Sequence, residues 1–286
     1  MKHAIAKADA LLEALPYLAQ FKGQTFVIKY GGSIQDMPGG EESVVQDVLF
    51  LHTVGIWPVV VHGGGREISE AQKEAGIEPR FVHGLRVTTP RSMAFTAAVL
   101  GRINRRIVAR LARFGDHGAG FSGRAGGAVL VARKISIPGG VDLGRVGAVS
   151  GFNLAPLLRA KRRAKVPIFS SVAVGRDGGL FNVNADDAAG AIAARLKAAK
   201  LILMTDVPGI QDGAGHLLTS LTPAKARALI GSGVISRGMI PKVTACLKAL
   251  AGGVPKAHII DGRLRHGLLL EIFTASGVGT EIVRKA

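Results

Sequence analysis

The chain has 286 residues, of which 48% are apolar, 20% charged and 5% aromatic, the composition of a soluble globular protein with enough apolar material for one large core or two modest ones. Thirty-seven Lys and Arg against 20 Asp and Glu give a formal charge of +17, which fits either an acidic partner or simply a basic surface. The single cysteine, Cys246, excludes an intrachain disulfide framework and a multi-cysteine metal site, and no apolar run approaches the roughly 20 residues of a membrane helix. Residues 1–20 carry Glu13 inside their apolar stretch and lack a small-residue cleavage pattern, so the expectation is a cytoplasmic protein with no membrane contact.

In chain order, Leu11, Leu12, Leu15 and Leu18 fall at helical spacing and predict an amphipathic arm over residues 5–20, broken by Lys22-Gly23. Residues 26–30 read as a short buried strand closed by Gly31-Gly32, with a helix over 41–53. A second unit repeats this grammar: strand 57–61, the turn His62-Gly63-Gly64-Gly65, and helix 66–75. The alternation predicts a parallel-rich sheet covered on both faces. Over 90–113, Ile103, Ile107 and Leu111 recur at fourfold spacing opposite Arg102, Arg105, Arg106, Arg110 and Arg113, which predicts a long helix with a solvated basic face. Short apolar pieces separated by Gly and Pro over 118–150 predict hairpin strands added to the α/β core. Beyond these come helix 154–163, strand 167–171, helix 185–199, strand 201–204, helices 223–230 and 240–250, strand 257–260 and helix 266–273, with no repeat, low-complexity tract or long linker.

Chemistry is expected first at the two glycine turns. Glycine lets the backbone approach an anion, and a helix N-terminus offers unpaired N–H groups at its positive dipole end. Neither turn fits G-x-x-x-x-G-K-[ST] or G-x-G-x-x-G, and a lone turn of this kind is equally a structural loop; two of them with Lys29 at the mouth of the first point to an anion site. Residues 181–186, Phe-Asn-Val-Asn-Ala-Asp, run into a helix start where Asn184 and Asp186 serve either as caps or as site residues. Thr205-Asp206 follow a buried strand, where ligand contacts fall in an open α/β sheet. Gly238-Met-Ile-Pro-Lys242 opens a helix and sets Lys242 at the dipole end that disfavours a cation, unless a polyphosphate faces it; a solvated lysine is the alternative.

In order and spacing these segments resemble the amino-acid kinase family, most closely its members that phosphorylate N-acetyl-L-glutamate. The resemblance rests on Val27-Ile-Lys-Tyr-Gly-Gly32, Pro58-Val-Val-Val-His-Gly-Gly-Gly65, Gly84-Leu-Arg-Val-Thr88, Asn182-Val-Asn-Ala-Asp186, Thr205-Asp-Val207, Gly238-Met-Ile-Pro-Lys242 and His258-Ile-Ile-Asp-Gly-Arg263. It implies an α/β fold with an open, largely parallel sheet sandwiched by helices (three-layer αβα) in two lobes. The arm would be 1–21, an acetylglutamate-binding and dimerising lobe 22–197, and an ATP-binding lobe 198–286. The implied reaction moves the γ-phosphoryl group of ATP to the side-chain carboxylate of N-acetyl-L-glutamate in arginine biosynthesis. By the same resemblance Lys29 and Lys242 flank the phosphoryl group, Asp186 holds both lysines, and the amides of Gly31, Gly32, Gly64 and Gly65 bind phosphoryl and substrate. Arg86 grips the substrate α-carboxylate, Asn182 contacts the bound amino acid, and Thr205 and Asp206 join Lys242 at the nucleotide. Mg²⁺ arrives with ATP on phosphate oxygens, so no protein metal ligand is named.

The arm resembles the extra helix of arginine-inhibited, hexameric members of the family, and His258 and Glu271 look like residues of their arginine effector pocket. A dimer or a hexamer is implied. Three positions depart from the family pattern: Arg66 where proline is common, Ala125 where an aspartate is usual, and Arg237 where glycine is usual. The alternatives are a related kinase acting on another carboxylate, such as an aminoadipate derivative, and a nucleic-acid-binding protein. Few aromatics and no zinc or helix-turn-helix signature argue against the second.

Overall fold

A strand whose apolar residues fall on both of its faces needs cover on both sides. β1 (Thr25–Tyr30) and β2 (Trp57–His62) are such strands: Phe26, Ile28, Tyr30 and Val60 pack into one core, while Val27, Trp57, Val59 and Val61 pack into the other. The computed structural model describes residues 1–32, 34, 37–137 and 139–284.

The chain begins with α1 (Lys2–Phe21), then β1, α2 (Gly40–Thr53), β2 and α3 (Gly65–Glu74). The hairpin β3 (Phe81–Val82) and β4 (Leu85–Arg86) leads to α4 (Pro90–Ala112), β5 (Gly118–Phe121), β6 (Leu130–Lys134) and β7 (Val146–Phe152). Next come α5 (Leu154–Arg162), β8 (Val166–Ser170), β9 (Val172–Gly175), β10 (Leu180–Val183) and α6 (Ala185–Leu196). The last part holds β11 (Lys200–Thr205), β12 (Ser220–Leu221), α7 (Pro223–Gly231), α8 (Met239–Ala251), β13 (Lys256–Asp261), α9 (Gly267–Phe273) and β14 (Thr280–Val283).

Eight strands form one sheet in the order β12-β14-β13-β11-β1-β2-β8-β5. Every neighbouring pair is parallel except β13 with β14. Helices α2, α4 and α9 close one face through Val44, Val48, Leu100, Ile107 and Ile272; α6 and α8 close the other through Ala188, Ile192, Cys246 and Leu250. The fold class is therefore the expected α/β sandwich. Pro90 fits at the start of α4 because that first N–H has no helical partner, and Thr89 caps the helix by accepting from Ser92 N.

Several expectations need correction. Within the described residues of 118–150, β6 and β7 make a hairpin, with antiparallel pairing; residues 118–121 instead form the outer strand of the main sheet, parallel to β8. β6 and β7 close a small four-stranded barrel with β9 and β10, which short length and scattered glycine hid from pattern reading. The helix expected over 185–199 stops at Leu196, because Lys197 turns into the left-handed region at φ 47°. The basic face of α4 is only partly solvated. Arg106 bonds Glu41 and Glu67, and Arg110 bonds Glu41 and Glu42, so these arginines tie α4 to α2 and α3.

Candidate active site

In a parallel sheet the strand C-termini share one edge, and the loops leaving it carry the ligand contacts. Tyr30 pairs with His62, and Thr205 with Asp261, as the final residues of β1, β2, β11 and β13, so all four loops start from this edge. The two glycine turns meet here. A side chain on Gly31, whose φ is +153°, would put its Cβ 3.0 Å from Gly63 N, and one on Gly64 would lie 2.5 Å from the Ile103 methyl. Only glycine allows both approaches.

On the other side of the edge, α6 and α8 pack closely enough that a Cβ on Gly190 would lie 2.9 Å from the Ala245 carbonyl. Their first turns therefore bring Asp186 beside Lys242. Asp186 Oδ2 lies 3.0 Å from Lys242 Nζ, and its Oδ1 lies 3.0 Å from Nζ of Lys29, which arrives on β1. Asn184, not Asp186, is the helix cap, since its side chain accepts from the amides of Asp186 and Asp187. That leaves the Asp186 carboxylate free for the lysines, and the solvated reading of Lys242 falls.

All three groups are largely out of water, which costs on the order of several kcal/mol per ion unless a close partner offsets it. Burial pushes the Lys29 ammonium below the ordinary lysine range; Asp186 opposes that shift and Lys242 adds to it. Burial alone would raise Asp186, but the two ammoniums outweigh it and hold the carboxyl below its usual value. Two cations around one anion leave a net charge of +1, a setting that favours an incoming anion.

Arg86 ends β4 with its guanidinium held by Gln72 Oε1 at 2.8 Å, Ser69 Oγ at 2.7 Å and the Gly65 carbonyl at 2.7 Å, and stacked 4.7 Å over the Phe81 ring. It is thus tied directly to the second glycine turn. Asn182 Nδ2 donates to Thr88 Oγ1 at 3.2 Å, and Thr88 Oγ1 donates to the Arg86 carbonyl at 2.9 Å, so Asn182 joins Arg86 through Thr88. Thr205 and Asp206 share the same sheet edge and bond one another at 3.2 Å. Among the described residues no hydrogen bond or ion pair links them to the lysines.

His258 and Glu271 also come together, but at the opposite edge of the sheet, in a cavity of about 850 Å³ walled by Tyr17 and Phe21 of α1. His258 Nδ1 lies 2.6 Å from Glu271 Oε1, and its Nε2 lies 3.1 Å from Lys200 Nζ. Burial lowers the pKa of His258 although Glu271 opposes this, and burial with the nearby Lys256 pushes Lys200 down to about 8. A neutral ring then donates through Nδ1 and accepts from lysine through Nε2. Sequence reading missed Lys200, along with Gln72, Ser69 and Thr88. A cation at the head of an otherwise apolar strand was the available signal for Lys200.

Among the described residues no helix is long and apolar enough to cross a membrane, and no group of three or more His, Cys, Asp or Glu is placed to hold a metal ion. The profile of the amino acid kinase family matches residues 24–261. The acetylglutamate kinase of Geotalea uraniireducens (strain Rf4) is 45% identical over 291 residues, covering 99% of this chain and 100% of its own. Among solved structures, N-acetylglutamate synthase from Neisseria gonorrhoeae complexed with coenzyme A and N-acetyl-glutamate is 26% identical at a TM-score of 0.88 over 98% of this chain. The same synthase complexed with coenzyme A and L-arginine aligns at a TM-score of 0.86 and 26% identity, again over 98% of this chain. The chain spans 64% and 66% of the length of those two synthase chains. With the match extending across most of its length and near-half identity to a full-length relative, the chain belongs to the amino acid kinase family.

Proposed function

We propose that the chain transfers the γ-phosphoryl group of ATP to the side-chain carboxylate of N-acetyl-L-glutamate, a step of arginine biosynthesis. The observation that carries this reading is the Asp186 carboxylate lying 3.0 Å from both Lys29 and Lys242, beside two glycine turns on one sheet edge. An acceptor that is already a carboxylate needs no general base, so alignment and charge neutralisation suffice. Lys29 stabilises charge on the attacking side and Lys242 on the leaving side, while the amides of Gly32 and Gly64, with Gly31 and Gly65, bind the phosphoryl oxygens. Arg86 exchanges its protein acceptors for the substrate α-carboxylate, a group its planar fork suits, and Asn182 contacts the bound amino acid. Thr205, Asp206 and Lys242 take the nucleotide, which enters as its magnesium complex with the cation on phosphate oxygens. In this reading residues 22–197 bind the acceptor and 198–286 the nucleotide.

The cavity beside α1, at the opposite edge of the sheet, is assigned to arginine as a feedback inhibitor. Lys200 and Lys256 face Glu271 and Glu281 within it, so the carboxylate and the two cationic groups of arginine each meet groups of opposite sign. Leu11, Leu12 and Leu15 of α1, exposed at 69%, 65% and 57%, supply an apolar face for joining chains into a homo-oligomer. The test of the main reading is ATP-dependent acyl-phosphate formation, trapped as the hydroxamate, with N-acetyl-L-glutamate beside glutamate, aspartate and N-acetylaminoadipate. Turnover confined to N-acetyl-L-glutamate supports it; folded protein that turns over only another acceptor refutes it.

A further inference from the structure

The glycine turn after β2 is held by a buried pair that the transfer chemistry above does not use. His62 is 0% exposed and Asn104, on α4, is 4% exposed. Asn104 Nδ2 lies 2.8 Å from the Ile168 carbonyl oxygen and 3.2 Å from His62 Nε2; the ring's Nδ1 lies 3.0 Å from the Gly63 carbonyl oxygen. Two acceptors that cannot donate settle every proton in this chain. The Ile168 oxygen demands an N–H from Asn104, so the Asn104 amide nitrogen faces β8 and β2 and presents its second N–H to Nε2. Nε2 is then the bare nitrogen, and Nδ1 carries the proton it gives to the Gly63 carbonyl.

The flat placement of the carboxamide depends on the strand beside it: a Cβ on Gly120 would lie 2.4 Å from Asn104 Oδ1. Burial pushes the ring's pKa down to about 4, the Gly63 bond opposes that, and Arg106 reinforces it, so the ring is neutral near pH 7. A trans peptide directs its C=O and the next N–H to opposite sides. Pinning the Gly63 carbonyl back toward the imidazole therefore turns the Gly64 N–H away from that ring.

We infer that Asn104 and His62 are a positioning pair, which selects one imidazole tautomer, fixes the Gly63–Gly64 peptide plane and thereby aims the Gly64 N–H at the transferring phosphoryl group. The inference rests on the proposed phosphoryl transfer for its consequence in rate, and on geometry alone for the tautomer. Losing one aimed donor costs about 10²-fold in kcat, with KM for both substrates moving by less than about threefold.

The experiment combines hydroxamate-trap kinetics with ¹⁵N spectra of the histidine rings, the His62 signals being assigned by their loss in H62N. An asparagine amide stands where Nδ1 stands, and a glutamine amide where Nε2 stands. H62Q and N104L are expected to lose about 10²-fold in kcat at little change in KM, and H62N to recover to within about tenfold of the native rate. The native His62 ring is expected to show Nδ1 protonated and Nε2 bare, and the N104L ring a mixture of tautomers. Equal loss in H62N and H62Q, full kcat in N104L, or a native ring protonated on Nε2 overturns the inference. If the native protein transfers nothing to N-acetyl-L-glutamate, the functional reading fails on that result, and the ring spectrum still decides for or against the pair.

Discussion

At the edge where β1, β2, β11 and β13 end, one carboxylate lies between two ammoniums; at the edge where β11 and β13 begin, one imidazole lies between an ammonium and a carboxylate. Both constellations are buried and both are satisfied by short polar contacts, yet their charge balance differs. The Lys29–Asp186–Lys242 group keeps a surplus positive charge, which suits an anion that gains charge as a bond breaks. The Lys200–His258–Glu271 group is balanced and opens into a large cavity, which suits a ligand carrying both signs. In the proposed reading one sheet supports a reacting site at its C-terminal edge and a recognition site at its N-terminal edge, and the difference lies in the charge balance: two ammoniums around a carboxylate at the first, one ammonium and one carboxylate around an imidazole at the second.

That comparison breaks most sharply at the lysines. K29A and K242A are each expected to lower kcat by about 10²–10³-fold in the hydroxamate assay, with the thermal midpoint held, since each removes a charge placed for the transition state. R86K comes next. It keeps the charge but loses the two-pronged grip, and the KM for N-acetyl-L-glutamate should rise roughly 10–100-fold, the worth of one or two charge-assisted hydrogen bonds. At the other edge, K200M should raise the arginine concentration for half-inhibition at least about tenfold, the worth of one charged hydrogen bond. Inhibition of the native protein should also weaken as pH rises through about 8, because Lys200 then loses its proton while Glu271, held below its usual value, stays ionised. The smallest effect belongs to Arg237, which holds φ at +46° where a side chain is disfavoured. R237G should raise the melting midpoint by about 2 °C, the equivalent of roughly 1 kcal/mol in a chain of this size.

Much of this is legible in the sequence. Strand and helix periodicity marked β1, β2, α4 and α8 to within a residue or two, because long buried elements impose their period on every position. The small barrel was not, since β9 and β10 are four residues each and owe their form to one another rather than to local propensity. The motifs named Lys29, Asp186, Lys242, Arg86 and Asn182, and the structure brings the first three together and links the last two through Thr88. What the motifs did not tell was the division of labour between Asn184 and Asp186, which depends on where a side chain turns at a helix start. Lys200 was lost because the strand was expected to begin one residue later, at Leu201. The paired half of the arginine face on α4 was lost because its partners, Glu41, Glu42 and Glu67, lie far away in sequence.

The central claim is that phosphoryl transfer here runs on positioned charge without a general base, and the pH dependence of kcat at saturating substrates tests it most directly. Asp186 is held below the usual carboxylate range and the acceptor carboxylate is ionised well below neutrality, so neither titrates between pH 6 and 8. Lys29 is pushed below the ordinary lysine value of 10.5, so its charge is lost early as pH rises. The account predicts a flat profile from about pH 6 to 8 and a decline on the alkaline side that begins below the free-lysine range. An acid limb centred between about pH 6 and 7, as a general-base histidine would give, would contradict it.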